Sequence, residues 1–243
     1  MSTQTPPPSN WAKHVDRLKV GDISEEAMNL NVEGRHLTGL TRGFGQLWQK
    51  TYQIRLHGAD PNVTPEHVIQ EWKARFTQFW PEGNQLYVPL SGIQLGEVGV
   101  INLTMPGGMK VSTGIMVIYM DDVSFSFMTP QGHMFAGMIT FSSFVEDGVT
   151  IAQIQVLIRA NDPLIEITLR LGVGHKGEDM FWKGTLTNLA NHFSVSAAQP
   201  TQSTVLVDPR MQWKEWRNIW QNAGIRSGLY MPVGIVKKVL RKR

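Results

Sequence analysis

The chain has 243 residues, 42% of them hydrophobic and 18% charged, with a formal net charge of +3 and no cysteine. Its length allows one sizeable core, in one or two domains. The absence of cysteine excludes a disulfide scaffold, a thiolate metal site and a cysteine nucleophile, and it fits a reducing compartment.

The charge is unevenly placed. From Ala197 onward nine Lys/Arg stand against two Asp/Glu, so the body is mildly acidic and the end, VKKVLRKR, carries the basic character. A uniformly basic nucleic-acid-binding surface would look different. The opening MSTQTPPPSNW has neither the basic nor the apolar region of a secretory signal. No run of about 18 apolar residues exists to span a bilayer. A cytoplasmic protein is expected.

Residues 1–44 read as an N-terminal lead, disordered through the proline run and carrying a short helix between Trp11 and Leu30. Gly34 to Trp48 is punctuated by glycine and has no assigned element. Lys50 to His57 is predicted as a strand, because Tyr52, Ile54 and Leu56 alternate with polar neighbours.

A helix is predicted next. Thr64 offers an N-cap oxygen, Pro65 suits the first helical position, and Glu66 complements the positive helix end. Val68, Ile69, Trp72, Phe76, Phe79 and Trp80 follow at three- and four-residue spacing, one aromatic face that Pro81 ends.

About eighty residues of hairpin signals come after it. Turns are marked at Pro106–Gly108, Asp121–Asp122 and Glu146–Gly148, between long β-prone runs. An antiparallel meander is expected, with one face packed and the other more polar. In its last strand Ile154, Val156 and Ile158 oppose Gln153, Gln155 and Arg159. In TPQGHMFAGMITFSSF (129–144), Phe135, Ile139 and Phe141 lie on one face, and that face is expected to meet the interior.

The segment NDPLIEITLRLG is ambiguous. Its β-branched residues favour a strand, while Asp162–Pro163 looks like a helix start. Trp182, Leu186, Leu189, Ala190 and Phe193 mark one face of a following helix. SVSAAQPTQST, residues 194–204, reads as a linker. Asp208 and Pro209 open a last helix with Trp213, Trp216, Ile219 and Trp220 along one side.

This order of elements resembles the helix-grip fold of the START-like, or Bet v 1-like, superfamily. GHMFAGMITFS, RANDPLIEITLRLG and EDMFWKGTLTNLANHF are similar to the last third of bacterial members with no agreed function. The resemblance covers residues 45–196. It implies an α+β domain in which a curved antiparallel sheet wraps a long C-terminal helix around an apolar cavity. It also favours helix for the ambiguous segment, with Gly172 and Gly174 interrupting it. Residues 197–243 then form a linker, a Trp-rich helix and a basic tail. Members of the superfamily include lipid carriers, polyketide cyclases and hormone receptors, so the fold does not choose a function.

The candidate residues divide by chemistry. His133 and Glu97 are the candidate acid–base groups, against the blander readings of a turn residue and an outward strand position. Arg159 could anchor a ligand carboxylate, or pair with Asp162, Glu166 or Glu178 at the strand end. Tyr119 could offer a hydroxyl or simply pack. Met116 belongs to a group of methionines between Met105 and Met138, suited to lining a wall that repacks around varied ligands. Phe135, Ile139, Phe141, Trp182 and Leu186 complete the expected cavity lining.

No histidine spacing defines a metal site, and no phosphate-binding, nucleophile-elbow or dinucleotide motif occurs. No metal and no cofactor is expected. The expected partner is a hydrophobic small molecule or lipid. A polyketide cyclase/dehydratase-like enzyme and a peripheral membrane protein targeted by its basic tail are the alternatives. Nucleic acid ranks last, because the tail has no interleaved aromatics to stack bases.

Overall fold

A computed structural model describes residues 9–82, 84–89, 92–104 and 110–229. Strand β1 (Leu47–Arg55) buries Lys50, Tyr52 and Ile54 on one side. Helix α1 (Pro65–Ala74) starts as its sequence dictates, with the Thr64 hydroxyl accepting from the His67 N–H. The single helix expected to run to Trp80 breaks at Arg75 and continues as a 3-10 helix, Phe76–Phe79. The inward spacing survives the break: Val68, Ile69, Trp72, Phe76 and Phe79 are all buried.

A short strand β2 (Gln85–Tyr87) precedes the meander of β3 (Val98–Thr104), β4 (Lys110–Met120), β5 (Ser124–Met128), β6 (Phe135–Glu146) and β7 (Val149–Ala160). Asp147 and Gly148 both take positive φ, 51° and 73°, in the two-residue turn between β6 and β7. That geometry matches the right-handed strand twist, which is why Asp-Gly marks such hairpins. The turn expected at Pro106–Gly108 lies outside the described residues.

The ambiguous segment is helix α2 (Pro163–Arg170). The Asp162 carboxylate accepts from the N–H groups of Leu164 and Ile165. Local capping outweighs β-branched propensity here. Gly172, at φ 75°, reverses the chain into helix α3 (Val173–His192), while Gly174 lies within α3 and does not interrupt it.

The expected linker differs most from its reading. Thr201–Asp208 forms β8, antiparallel to β1. Its run of Thr, Ser, Val and Leu is β-prone, and β1 would otherwise be a bare sheet edge. The sheet order is β2-β3-β4-β5-β6-β7-β1-β8, antiparallel at every step. Helix α3 packs across one face, against β1 and β7, and α1 packs beside it on β6 and β7. This is the helix-grip architecture, α+β.

Both faces of the sheet are packed. The gripped, concave face carries the main core, from Tyr52, Ile54 and Val156 to Trp182, Leu186 and Leu189. On the convex face Val98, Val100, Met116 and Ile118 meet Leu18 and Val32 in a second core. The expected helix in Trp11–Leu30 does not form. Instead residues 9–44 follow an irregular path over β3–β5, with Ala12 N–H donating to Ile118 O and Thr38 N–H to Thr129 O. Far from being a loose lead, this segment covers the face expected to be polar. The polar expectation holds towards β6, β7 and β1, where Gln53 and Gln153 hydrogen-bond side chain to side chain.

After β8, Trp213–Gln221 forms a 3-10 helix and residues 223–229 a helical turn. The pair docks through polar groups. Gln212 N–H donates to Phe44 O, and the Asn218 amide donates to Arg42 O and Asn161 O. The Asn222 amide donates to Asp162, and Ala223 N–H to Gly132 O. Trp213, Trp216 and Trp220 of this segment remain exposed.

Candidate functional site

The space inside the grip is filled by aromatic rings. Phe125 stacks on Phe141 at 4.8 Å between centroids, and Phe76, Trp72 and Trp182 stand edge-on to Phe141 at 5.1, 5.3 and 5.8 Å. Each of these residues is at most 8% exposed. Such edge and offset contacts are the favoured arrangement of the ring quadrupole, so the cluster is a stable filling.

At the other end of the grip lies a buried ionic cluster that the sequence reading missed. Lys50, on the inward register of β1, places Nζ 2.9 Å from Glu178 Oε2 and 2.7 Å from Asp179 Oδ1 on α3. The Tyr52 hydroxyl donates to the same Asp179 oxygen at 2.6 Å. Burial pushes the Glu178 carboxyl above its ordinary range, with Lys50 opposing. Burial also acts on Asp179, but the hydrogen bonds from Lys50 and Tyr52 prevail and hold it low. Burial and the nearby carboxylate of Glu178 raise the Tyr52 phenol well above its usual value. Lys50 and Glu178 are buried while Asp179 is partly exposed, and the cluster joins α3 to β1. Two signals could have found it: a lysine two residues before Tyr52 on an inward register, and a glutamate one helical turn before Trp182.

Open volume lies on the convex face. A cleft of about 580 Å³ separates residues 11–16 and 36–38 from the sheet. Met116, Ile118 and Met128 form its floor, and Trp11, Val15 and Leu37 its apolar wall. A second, polar cleft of about 450 Å³ holds Arg17, Arg35 and Arg226 with Glu33, and shares His36 and Gln131 with the first.

The sequence-predicted residues scatter. Phe135, Ile139 and Phe141 do turn to the concave face, as do Trp182 and Leu186. Met116 turns the other way, onto the floor of the convex cleft, because it alternates with Ile115 and Val117 along β4. Tyr119 also stays convex: a register shift between Val117 and Tyr119 lets Met120 pack inward instead. Its ring meets Trp11 at 4.7 Å, and its hydroxyl donates to Asp121.

His133 is buried in the turn before β6. Its Nδ1 accepts the Phe135 N–H at 2.9 Å, and burial lowers it to about 4, leaving it neutral at pH 7. Glu97 sits half-buried on the loop before β3 rather than on a strand.

Arg159 is 5% exposed and belongs to the convex register of β7, away from the grip. It pairs with none of its three expected partners. It donates to Asp208 at 2.6 Å and to the carbonyls of Gly45 and Arg210 at 2.7 and 2.9 Å. Hydrogen bonds from Arg210 and from Arg159 hold the Asp208 carboxyl far below its usual range. These contacts fix the end of β8, so Arg159 serves the sheet edge. His133, Glu97 and Arg159 do not converge, and none faces the concave interior.

No family model matches the chain, and no curated protein does. Among solved structures it is similar to the di-domain ARO/CYC StfQ from the steffimycin biosynthetic pathway, at 10% identity and a TM-score of 0.46. That match covers 61% of this chain and 50% of the other, so the chain spans half the length of that protein. Protein Ms6760 from Mycobacterium smegmatis gives 14% identity and 0.42, covering 73% of this chain and 99% of the other. Ara h 8.0201 gives 12% and 0.40, covering 60% and 98%. At these values the fold assignment rests on the strand order and the gripped helix described above.

Proposed function

We propose that the protein binds a small, mainly apolar molecule with a polar end, non-covalently, in the cleft between residues 11–38 and the convex sheet face. The observation that carries this reading is the contrast between the two faces. The grip is filled ring to ring, while the convex cleft keeps about 580 Å³ open above a floor of Met116, Ile118 and Met128. That volume lies within the range of small-molecule sites, which pair an apolar lining with a few polar groups. Methionine lining suits ligands of varied shape. His36 and Gln131 stand where the apolar cleft meets the arginine-bearing one, which gives a polar end somewhere to lie. A ligand there would gain most of its affinity from buried apolar surface.

Native mass spectrometry of the purified protein, followed by titration with a series of fatty acids, tests this. Binding is expected, and Val15→Trp, which fills the cleft from its outer wall, is expected to weaken it at least about tenfold. Equal affinity in Val15→Trp, or no apolar molecule retained across the series, would overturn the proposal.

A further inference from the structure

We propose that the surface formed by α2 and the tryptophan-bearing 3-10 helix docks onto an anionic lipid bilayer. The exposed apolar side chains on this surface line neither cleft, although Glu215 and Asn218, on the inner side of the 3-10 helix, border the convex one. Three tryptophans at i, i+3 and i+7 are turned outward: Trp213, Trp216 and Trp220 are 66%, 47% and 69% exposed. Helix α2, packed against this segment, repeats the pattern with Leu164, Ile167 and Leu171 at 42%, 54% and 73%. An apolar surface of this kind needs an explanation, because single exposed hydrophobics are ordinary and contiguous ones are not.

The polar side of the segment explains why it faces this way. Gln212, Asn218 and Asn222 spend their hydrogen bonds on the body of the protein, which leaves the indole rings pointing out. Tryptophan is the residue suited to a membrane–water interface, with an apolar body and one N–H that stays wet.

Charge selects a bilayer over a protein partner. Lys214 and Arg217 lie exposed between the indoles, with Glu215 largely turned in beneath Lys214, and the Arg217 guanidinium lies 5.6 Å over the Trp216 ring. The core of a protein interface is depleted in charge, so this interleaving fits lipid headgroups better. The sequence then runs from the helical residues 223–229 directly into residues 230–243, which hold five Lys/Arg and no Asp/Glu. An apolar anchor or a basic stretch alone holds a protein weakly, and the two together hold it stably. Among the described residues no helix is long and apolar enough to cross a membrane, so attachment would be peripheral.

Co-sedimentation of the full chain with phosphatidylcholine vesicles, with and without phosphatidylserine, tests this. Binding to the phosphatidylserine vesicles is expected, with a blue shift of tryptophan fluorescence. The double variant Trp216→Ser/Trp220→Ser should lose at least about tenfold in partitioning while keeping the wild-type circular dichroism and melting temperature. Lys237→Gln/Lys238→Gln should weaken binding only to the anionic vesicles, and added salt should mimic it. Wild-type partitioning by the tryptophan variant would overturn the proposal, and so would no binding to either vesicle. A tryptophan-dependent dimer in sedimentation velocity without lipid would also overturn it, by making the face a protein interface.

Discussion

Arg159 and Asp208 meet at 2.6 Å across the last turn of the sheet, and through that contact β7 fixes a strand that begins 41 residues after it ends. The guanidinium is buried and its two carbonyl partners belong to Gly45 and Arg210, so it gathers three chain segments at one corner. Removing Asp208 leaves a buried cation with neutral acceptors only. Asp208→Asn is expected to destabilise the fold, because a hydrogen bond between charged groups is exchanged for a weaker one. It should also raise amide exchange first in β8. Urea unfolding and hydrogen exchange measure both, and unchanged protection in β8 would refute the role.

The Lys50 cluster makes a different prediction, about coupling. Lys50→Met leaves two carboxylates without their cation under α3 and is expected to cost about 3–5 kcal/mol. Lys50→Met/Glu178→Gln removes the more deeply buried of the two charges and should recover part of the loss. Denaturation midpoints of the single and double variants form the cycle. Strict additivity would mean that the groups do not interact.

His133 makes stability depend on pH in a defined window. Its folded pKa, about 4, lies below the ordinary value of 6.5, so the unfolded chain takes up a proton that the native state refuses. Stability is therefore complete above 6.5 and falls as pH drops towards 4, by about 3 kcal/mol for this group. His133→Asn keeps an acceptor for the Phe135 N–H and cannot titrate, so its stability should be flatter over that window. Asp208 and Asp179, held low, lose their contributions as pH falls through the carboxylate range, while the raised Glu178 opposes them. An unchanged slope between pH 7 and 5 in His133→Asn would remove the histidine from the account.

Gly132 is fixed by two constraints at once. Its φ is +91°, and a Cβ there would lie 2.1 Å from the Gln221 carbonyl oxygen. Gly132→Ala is expected to cost at least about 1 kcal/mol through φ alone, and to push the 213–229 segment off the turn. Limited proteolysis should then cut in that segment faster than in the wild type. Equal cleavage rates would show that the turn tolerates the side chain.

Legibility followed distance along the chain. Thr64 announced its helix because a cap and its N–H partner lie within three residues, whereas the same signal at Asp162 was offset by the β-branched residues after it and left that segment ambiguous. The Asp147–Gly148 hairpin and the inward face of β6 were equally readable, since turn chemistry and a period of two are local. Arg159 was misjudged because its nearest acids in sequence are not its nearest in space. Lys50 was missed because its partners lie 128 and 129 residues away, and Met116 was placed on the wrong face because one β-strand carries two apolar registers.

The sequence by itself determined the strand–helix–meander–helix order and the inward faces of β6 and α3, because each follows from local periodicity and capping, while the α+β helix-grip class came from resemblance to a known superfamily. Only the tertiary structure decided that the grip is filled by aromatic rings, and that residues 9–44 cover the convex face and leave a cleft there. It also decided that a presumed linker adds an eighth strand beside β1 and that three tryptophans face outward. Each of those depends on which distant segments compete for one buried surface, and side-chain volume and hydrogen-bond satisfaction settle that competition only when the whole chain is packed.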